Sequence, residues 1–199
     1  MNTMKRYDDL TELLAHVWDY LEQGARRPKH AFHTPTLVST GPHARTVVLR
    51  ETDRHARRLT CHSDRRAKKI RDIEQTPDIV WHGWDKKKLE QFRLSGHATL
   101  HSEGARADQQ WQKTSPRSLA IYAKPIAPDT VVSEPQDGLA DAVRKDDLTH
   151  DDVVAGRENF AVIDTEIRDI TWLHLHPDGH YSARFVWDGE KFLGNWLIP

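Results

Sequence analysis

Apolar residues spaced three and four positions apart mark the start of the chain as helical. Between Tyr7 and Gln23, these residues are Leu10, Leu13, Leu14, Val17, Trp18 and Leu21. Residues at this spacing share one face of a helix with 3.6 residues per turn. The pattern predicts an amphipathic helix within residues 1–24 that ends near Gly24.

Alternating apolar and polar residues dominate most of the remaining chain. They predict strands in eight runs: Thr36–Thr40, Arg45–Glu51, Leu59–His62, Asp78–Trp84, Leu89–His101, Phe160–His176, Tyr181–Trp187 and Lys191–Leu197. Turn residues separate several of these runs, at Gly41-Pro42, Pro177-Asp178-Gly179 and Asp188-Gly189. Six or more mostly antiparallel strands predict a β-dominated α+β fold. We expect a closed or partly closed barrel with peripheral helices, because closure removes exposed strand edges.

Two further helices and one irregular stretch complete the predicted organisation. Asp64 is expected to cap a helix that runs through Ile73, and residues 103–113 are expected to be helical. Residues 126–157 are acidic and carry Pro128, Pro135 and Gly138, which predicts an irregular excursion over the surface. No break in composition divides the chain, so we expect a single domain over residues 1–199.

Charge and cysteine content narrow the classes of function. The 29 Lys and Arg residues nearly balance the 30 Asp and Glu residues, so no global field favours nucleic acid or an anionic membrane. The basic patches are local, at residues 65–69 and 86–88. The apolar runs are far shorter than the roughly 20 residues needed to cross a bilayer. With a single cysteine and no apolar leader, the sequence predicts a cytoplasmic protein without nucleic-acid or membrane partners.

Two segments bring cations to places where a phosphate group could bind. In Arg45–Arg50, strand alternation puts Arg45 on one face and Arg50 on the other. The segment Ser63–Lys69 leaves a strand and enters a helix, which combines a hydroxyl, free backbone N–H groups and several cations. The first segment could equally be an exposed strand with charged ends, and the second a solvated basic helix face.

A third polar set lies on the long predicted strand. Gln91, Arg93 and Ser95 share one face, and Gly96 permits a bulge or a close approach of another backbone. The Gln91 amide both donates and accepts hydrogen bonds, which suits the edge of a flavin ring. Near the C-terminus, Trp172 precedes a group of histidines and Arg184.

These motifs, in this order, resemble the pyridoxamine 5'-phosphate oxidase-like FMN-binding family. The resemblance rests on Arg45-x-Val-Val-Leu-Arg50, His62-Ser-Asp-x-Arg-x-x-Lys69, Gln91-x-Arg-x-x-Gly96, and Trp172 with Arg184 twelve residues later. It extends from about His30 to Pro199. It is greatest to the branch of FMN-binding flavoproteins in which the strand-to-helix motif reads Thr-Asp-x-Arg-Ser-x-Lys.

The resemblance implies a split barrel that forms a homodimer, with FMN bound in clefts between the subunits. Arg45 and Lys69 would hold the FMN phosphate, and Ser63 stands where the family usually has Thr. The positions implied to bind the cofactor are Arg45, Thr46, Val47, Val48, Arg50, His62, Ser63, Lys68, Lys69, Gln91, Trp172 and Arg184. Some of these contacts would come from the other subunit. The implied activity is that of a flavin-dependent oxidoreductase.

The substrate side departs from the pattern of the vitamer oxidases. Arg50 replaces the lysine at the end of the first motif, and Trp111 and Ser115 replace a tyrosine and an arginine that bind the substrate phosphate. His180 and Ser182 replace an arginine and a histidine that cover the vitamer. Each lost charge-assisted bond costs roughly 1.5–3 kcal/mol, which argues against vitamer phosphate oxidation. No general acid or base is assignable from the sequence.

Two other classes of function stay open, and several other sites are disfavoured. The protein could bind flavin without catalysis, as a sensor, or it could remain a true pyridoxamine 5'-phosphate oxidase if Arg117 and His180 compensate. His174, His176 and His180 could hold a metal, although ordinary surface histidines at a hairpin explain them better. No feature indicates an axial haem ligand. Cys61 is expected to be a buried strand thiol, and the dispersed tryptophans to be core or interface residues.

Overall fold

The computed structural model describes residues 6–41 and 43–199, so Pro42 of the predicted Gly41-Pro42 turn lies outside the described residues. The α-helices are α1 (Leu10–Arg26), α2 (Lys68–Gln75), α3 (Gly104–Lys113), α4 (Pro116–Leu119) and α5 (His150–Val153). Short 3₁₀ helices cover Ala31–His33, Ala120–Ala123, Asp141–Val143 and Val154–Asn159. The strands are β1 (Thr36–Ser39), β2 (His43–Thr46), β3 (Glu51–Asp53), β4 (Arg58–Asp64), β5 (Asp78–Asp85), β6 (Glu90–His101), β7 (Phe160–His174), β8 (Tyr181–Trp187) and β9 (Phe192–Leu197).

All nine strands belong to one antiparallel sheet, in the order β2-β1-β5-β6-β7-β4-β3, with β8 and β9 branching from β7. The 15-residue β7 makes the branch possible: residues 160–166 pair with β4 and residues 169–174 pair with β8. The predicted β-dominated α+β class is therefore confirmed.

Residues 47–50 join the two ends of the sheet path. The N–H groups of Val47 and Leu49 donate to the carbonyls of Pro35 and His33, beside β1. The N–H of Arg50 instead donates to the carbonyl of Thr60, on β4, at 2.8 Å. The predicted strand Arg45–Glu51 is thus divided into β2, this bridge and β3. Its predicted alternation holds, since Val47 and Leu49 are buried while Val48 and Arg50 are only partly so.

The main core lies between the sheet and α1. The buried face of α1 carries Leu13, Val17, Trp18 and Leu21, and Tyr20 stacks on Phe92 of β6 at 4.4 Å between ring centres. Fully burying one such side chain contributes about 1.5–3 kcal/mol. The buried side chains of α1 therefore fix this helix against the sheet, with Tyr20 in contact with β6.

A second apolar cluster lies outside β4 and β7. It contains Trp111, Leu119, Ala120, Tyr122, Val143, Val153, Phe160 and Val162. Val143 and Val153 come from the 126–157 segment, which the sequence predicts to be an irregular surface excursion. That prediction is wrong for its second half, where short helices bury these two valines.

Two predicted helix boundaries are also wrong, for identifiable reasons. The first helix begins at Leu10 and continues to Arg26, because Gly24 is a packing position: a side chain there would lie 2.9 Å from the carbonyl oxygen of Phe32. Asp64 does not cap α2, which begins four residues later at Lys68. Its carboxylate instead accepts hydrogen bonds from the Arg66 backbone and guanidinium.

The predicted irregularity at Gly96 is confirmed. The pairing between β6 and β7 shifts register between Ser95 and Gly96. A side chain at Gly96 would lie 2.2 Å from the backbone oxygen of Glu166, so only glycine allows this approach.

None of the described helices is long and apolar enough to span a membrane.

Candidate functional site

The turn between β4 and α2 brings a hydroxyl and an ammonium group together. Ser63 is buried at the end of β4, and Lys69 lies in the first turn of α2. Lys69 Nζ donates to Ser63 Oγ at 3.1 Å. Burial is the main cause that lowers the pKa of Lys69. Among the described residues no side chain caps the start of α2, and the Ile70 N–H donates to the Ala67 carbonyl, which leaves the N–H groups of Lys68 and Lys69 available to an anion.

A second group of side chains, from Lys68, Arg45 and His43, surrounds Asp72, one turn further along α2. The Asp72 carboxylate accepts from Lys68 Nζ at 2.9 Å and lies 3.0 Å from His43 Nδ1 and 3.5 Å from Arg45 Nη2. Arg45 also donates to Ser39 Oγ at 2.7 Å. The hydrogen bond from Lys68 is the largest influence that lowers the pKa of Asp72, to about 2. Asp72 therefore acts as a counter-ion for Lys68 and Arg45.

Both groups line one large cavity of about 820 Å³. One part of its wall is cationic, and another part comes from residues 121–138 and includes apolar side chains. Six of the predicted cofactor-binding residues line it: Arg45, Thr46, His62, Ser63, Lys68 and Lys69. The structure thus brings together residues from β2, β4 and α2 that are up to 24 positions apart in the chain.

A smaller polar cavity of about 230 Å³ lies next to it. Its wall includes Arg50 and Ser115, two of the residues predicted on the substrate side, together with Glu51, Gln110 and Lys113. The Arg50 side chain forms no hydrogen bond or ion pair within the part of the chain that the structure describes. Its Nε atom is buried and without a partner among those residues.

His62 lines both cavities. Its Nε2 lies 3.2 Å from Gln110 Oε1, and its ring packs edge-to-face on Phe160 at 4.8 Å. Burial is the main cause that lowers the pKa of His62, to about 4. The imidazole is therefore neutral at physiological pH and forms an uncharged, polar part of the shared wall.

The chemistry of the large cavity fits a phosphate ester carried by a larger, partly apolar group. Arginine, lysine and hydroxyl groups are the usual partners of phosphate oxygens, and charge-assisted bonds of this kind are the strong ones. Arg50 and His62 line the adjoining cavity, and the buried atoms Arg50 Nε and His62 Nδ1 have no partner among the described residues, which leaves hydrogen-bonding capacity for a ligand. These residues fit FMN, whose ring needs hydrogen bonds at its polar edge.

The other residues predicted to bind the cofactor lie outside the two cavities. Gln91 and Arg184 lie on the outward face of β6–β9, where strand register puts Gln91 level with Leu173 and Arg184 level with Thr171. Arg184 pairs with Asp169 there. Trp172 points to the opposite face and is fully buried in the main core. Val47 is buried, and neither Val47 nor Val48 lines the two cavities.

The remaining substrate-side residues are also dispersed. Trp111 is buried against Phe160, and His180 is exposed in the turn between β7 and β8. Ser182 donates to the carbonyl of Trp172 and lines a third cavity near the N-terminus. Arg117 donates to the carbonyl of Lys145 at 3.3 Å and does not line the small cavity.

The histidine and cysteine predictions have different outcomes. His174 is buried and lies 2.8 Å from the Tyr181 hydroxyl, so its description as a surface histidine is wrong. Within residues 6–41 and 43–199, no group of three or more His, Cys, Asp or Glu side chains could hold a metal ion. Cys61 is buried in β4 as predicted, and burial raises the pKa of its thiol to about 12.

Sequence reasoning missed the acidic and amide residues beside the predicted cations. Asp72 lies four residues after Lys68 on α2, a spacing that predicts contact on one helix face. Gln110 lies on the buried face of α3, next to Trp111 and three positions after Ala107. A polar residue on an otherwise apolar helix face was the available indication.

The fold and cavity define a split-barrel protein with a cationic, phosphate-compatible site. Residues 11–102 match the family model of the pyridoxamine 5'-phosphate oxidase FMN-binding domain. The resemblance to this family, predicted from the motifs, is thereby confirmed. The matched residues include the first three motifs and end before Trp172 and Arg184. A search of the curated proteins finds no match.

Two solved structures share the fold of this chain. A pyridoxamine 5'-phosphate oxidase-related, FMN-binding protein from Nostoc punctiforme is 19% identical with a TM-score of 0.68, over 98% of this chain and 100% of that one. PhzG from Burkholderia lata, solved with tetrahydrophenazine-1-carboxylic acid, is 16% identical with a TM-score of 0.65, over 96% of this chain and 90% of that one. At these identities, the similarity establishes the split-barrel fold.

Proposed function

We propose that this protein binds FMN in the large cavity and acts as a flavin-dependent oxidoreductase on a small substrate. The observation that carries the proposal is the convergence of Arg45, Ser63 and Lys69 on one cavity. These side chains would hold the FMN phosphate, with Lys68 beside them. Bound FMN supplies hydride or electron transfer, while the protein supplies binding, orientation and electrostatics.

The small cavity is the proposed substrate pocket. The Arg50 guanidinium, which has no partner among the described residues, would hold an anionic or strongly polar group of the substrate. The cation that vitamer oxidases use for the substrate phosphate is replaced by Ser115, and Arg117 points to Lys145 instead. These observations favour a substrate other than pyridoxamine 5'-phosphate. A flavin-binding protein without catalysis is the second candidate, because the residues that bind the substrate in the vitamer oxidases are altered together in this sequence.

We further propose a homodimer in which the outward face of β6–β9 meets a second subunit. This face carries Gln91 and Arg184 beside exposed apolar residues on β8 and β9, among them Val186, Leu193 and Leu197. An exposed apolar sheet face is typical of an interface. A partner would bring its Gln91 and Arg184 to the FMN site. Light scattering at several concentrations should give twice the chain mass.

A comparison of FMN with riboflavin tests the phosphate site. Arg45→Ala and Lys69→Ala should each weaken FMN binding roughly 10–100-fold, because each removes a charge-assisted hydrogen bond. Riboflavin lacks the phosphate, so its weaker binding should be the same in the wild type and in both variants. Lys87→Ala, at an exposed position outside the cavity, is the control. Equal losses for both flavins would contradict the phosphate assignment.

A further inference from the structure

A chain of hydrogen bonds leads from Glu51 to His62 through Gln110. Gln110 Nε2 donates to Glu51 Oε2 at 2.5 Å, and Gln110 Oε1 lies 3.2 Å from His62 Nε2. Gln110 is buried on α3, and Glu51 begins β3. Arg106 contributes a further contact to Glu51 at 3.4 Å and binds Asp164 through two hydrogen bonds of 2.8 Å. Ionic contacts of Glu51 and Arg106 therefore fix one end of this series of hydrogen bonds.

These hydrogen bonds determine which ring nitrogen of His62 carries the hydrogen. A carboxylate only accepts hydrogen bonds, so Gln110 must turn its NH₂ group toward Glu51 and its oxygen toward His62. The oxygen needs a donor, which makes His62 Nε2 the protonated nitrogen. In a neutral imidazole the other nitrogen, Nδ1, is then an acceptor.

The surroundings of His62 keep the ring uncharged. Burial is the largest effect, and Arg50 and Arg106 add positive charge that opposes protonation. Gln110 and Asp164 act in the opposite direction but do not outweigh these effects. The resulting acceptor, Nδ1, is buried and has no partner within residues 6–41 and 43–199. A buried polar atom without a partner is costly and uncommon. Because the His62 side chain lines the large cavity, a group bound there is the nearest source of a donor for Nδ1.

We propose that Glu51 and Gln110 hold His62 in its Nε2–H tautomer so that Nδ1 accepts a hydrogen bond from bound flavin. His62 is thus a positioning residue for the cofactor, and Glu51 and Gln110 are positioning residues for His62. The inference rests on the proposed function, because it requires FMN in the large cavity. The donor is an N–H or O–H group of the flavin.

The first part of the test uses the protein without added ligand. Long-range ¹H–¹⁵N spectra of the histidine rings distinguish the two tautomers, and the His62 signals are identified by their loss in His62→Asn. We expect a single Nε2–H tautomer at pH 7. Gln110→Leu should give a mixture of tautomers, whereas Gln112→Leu, at an exposed position on the same helix, should not. A mixture in the wild type would overturn the positioning role of Gln110.

The second part adds FMN. The ¹⁵N signal of Nδ1 should move upfield as this nitrogen gains a hydrogen bond. His62→Phe, which removes both nitrogens, should weaken FMN binding about 3–10-fold. His62→Asn places an amide oxygen near the Nδ1 position and should stay within about twofold of the wild type. An unmoved Nδ1 signal with FMN bound would overturn the proposal. Failure of the wild type to bind FMN at all would contradict the proposed function instead.

Discussion

Lys69 Nζ lies 3.1 Å from Ser63 Oγ, although the two residues belong to different elements, α2 and β4. The contact spans the turn formed by residues 64–67, where Asp64 is engaged by Arg66. Both side chains line the large cavity. The ammonium and the hydroxyl are therefore neighbours in the wall of this cavity.

Ser63 should tolerate a hydroxyl-bearing replacement and no other. Ser63→Ala removes one hydrogen-bond partner of the proposed phosphate and of Lys69, so FMN binding should weaken about 3–10-fold. Ser63→Thr keeps the hydroxyl and should bind FMN within about threefold of the wild type. Quenching of FMN fluorescence measures both constants. Equal binding by the alanine variant would show that the hydroxyl does not contact the cofactor.

Asp72 should oppose the binding of a phosphate group. Its carboxylate contacts Lys68, Arg45 and His43, and it is a counter-ion of the lysine and the arginine. Asp72→Asn removes one negative charge close to the proposed phosphate, so FMN affinity should rise several-fold. Riboflavin affinity should not change. A fall in FMN affinity would mean that Asp72 mainly orients Arg45.

Acidification should destabilise the protein through His62. The pKa of His62 lies at about 4 in the folded chain, below the usual value of 6.5. The unfolded chain therefore binds the proton first, and the free energy of unfolding falls as the pH drops from 6.5 to 4. The loss from this residue is on the order of 3 kcal/mol. Urea denaturation at several pH values should show a shallower decline for His62→Asn than for the wild type; an identical decline would contradict the assigned pKa.

Gly96 should be intolerant of any side chain. A methyl group at this position would lie 2.2 Å from the backbone oxygen of Glu166, so the paired strands β6 and β7 would have to separate. Gly96→Ala should lower the free energy of unfolding by about 1–3 kcal/mol. Ser95→Ala, the adjacent control, should stay within about 0.5 kcal/mol of the wild type. Chemical denaturation measures both; a neutral Gly96→Ala would contradict this close approach.

The fold was largely predictable because strand alternation and turn residues are local properties of the sequence. The predicted bulge at Gly96 is one example, since a glycine inside a strand has few other reasons to occur. The continuation of α1 past Gly24 to Arg26 was not predictable, because Gly24 is required by its contact with Phe32 rather than by a change of conformation. Contacts between distant segments are not visible in local patterns.

The candidate site was predictable only in part. The motifs identified Arg45, Ser63 and Lys69, which the fold brings to one cavity. The relationship of Glu51, Gln110 and His62 depends on how α3 packs against β3 and β4, and no local pattern contains it. The burial of Trp172 likewise follows from the register of β7 with β6, in which it pairs with Phe92.

The central claim is that the large cavity binds FMN. The most direct measurement is the visible absorption spectrum of the purified protein, with the released cofactor identified by mass and the apoprotein titrated with FMN. We predict a flavin spectrum with one FMN per chain, and its loss in the double variant Arg45→Ala/Lys69→Ala. A colourless protein that cannot be reconstituted with FMN would contradict the claim.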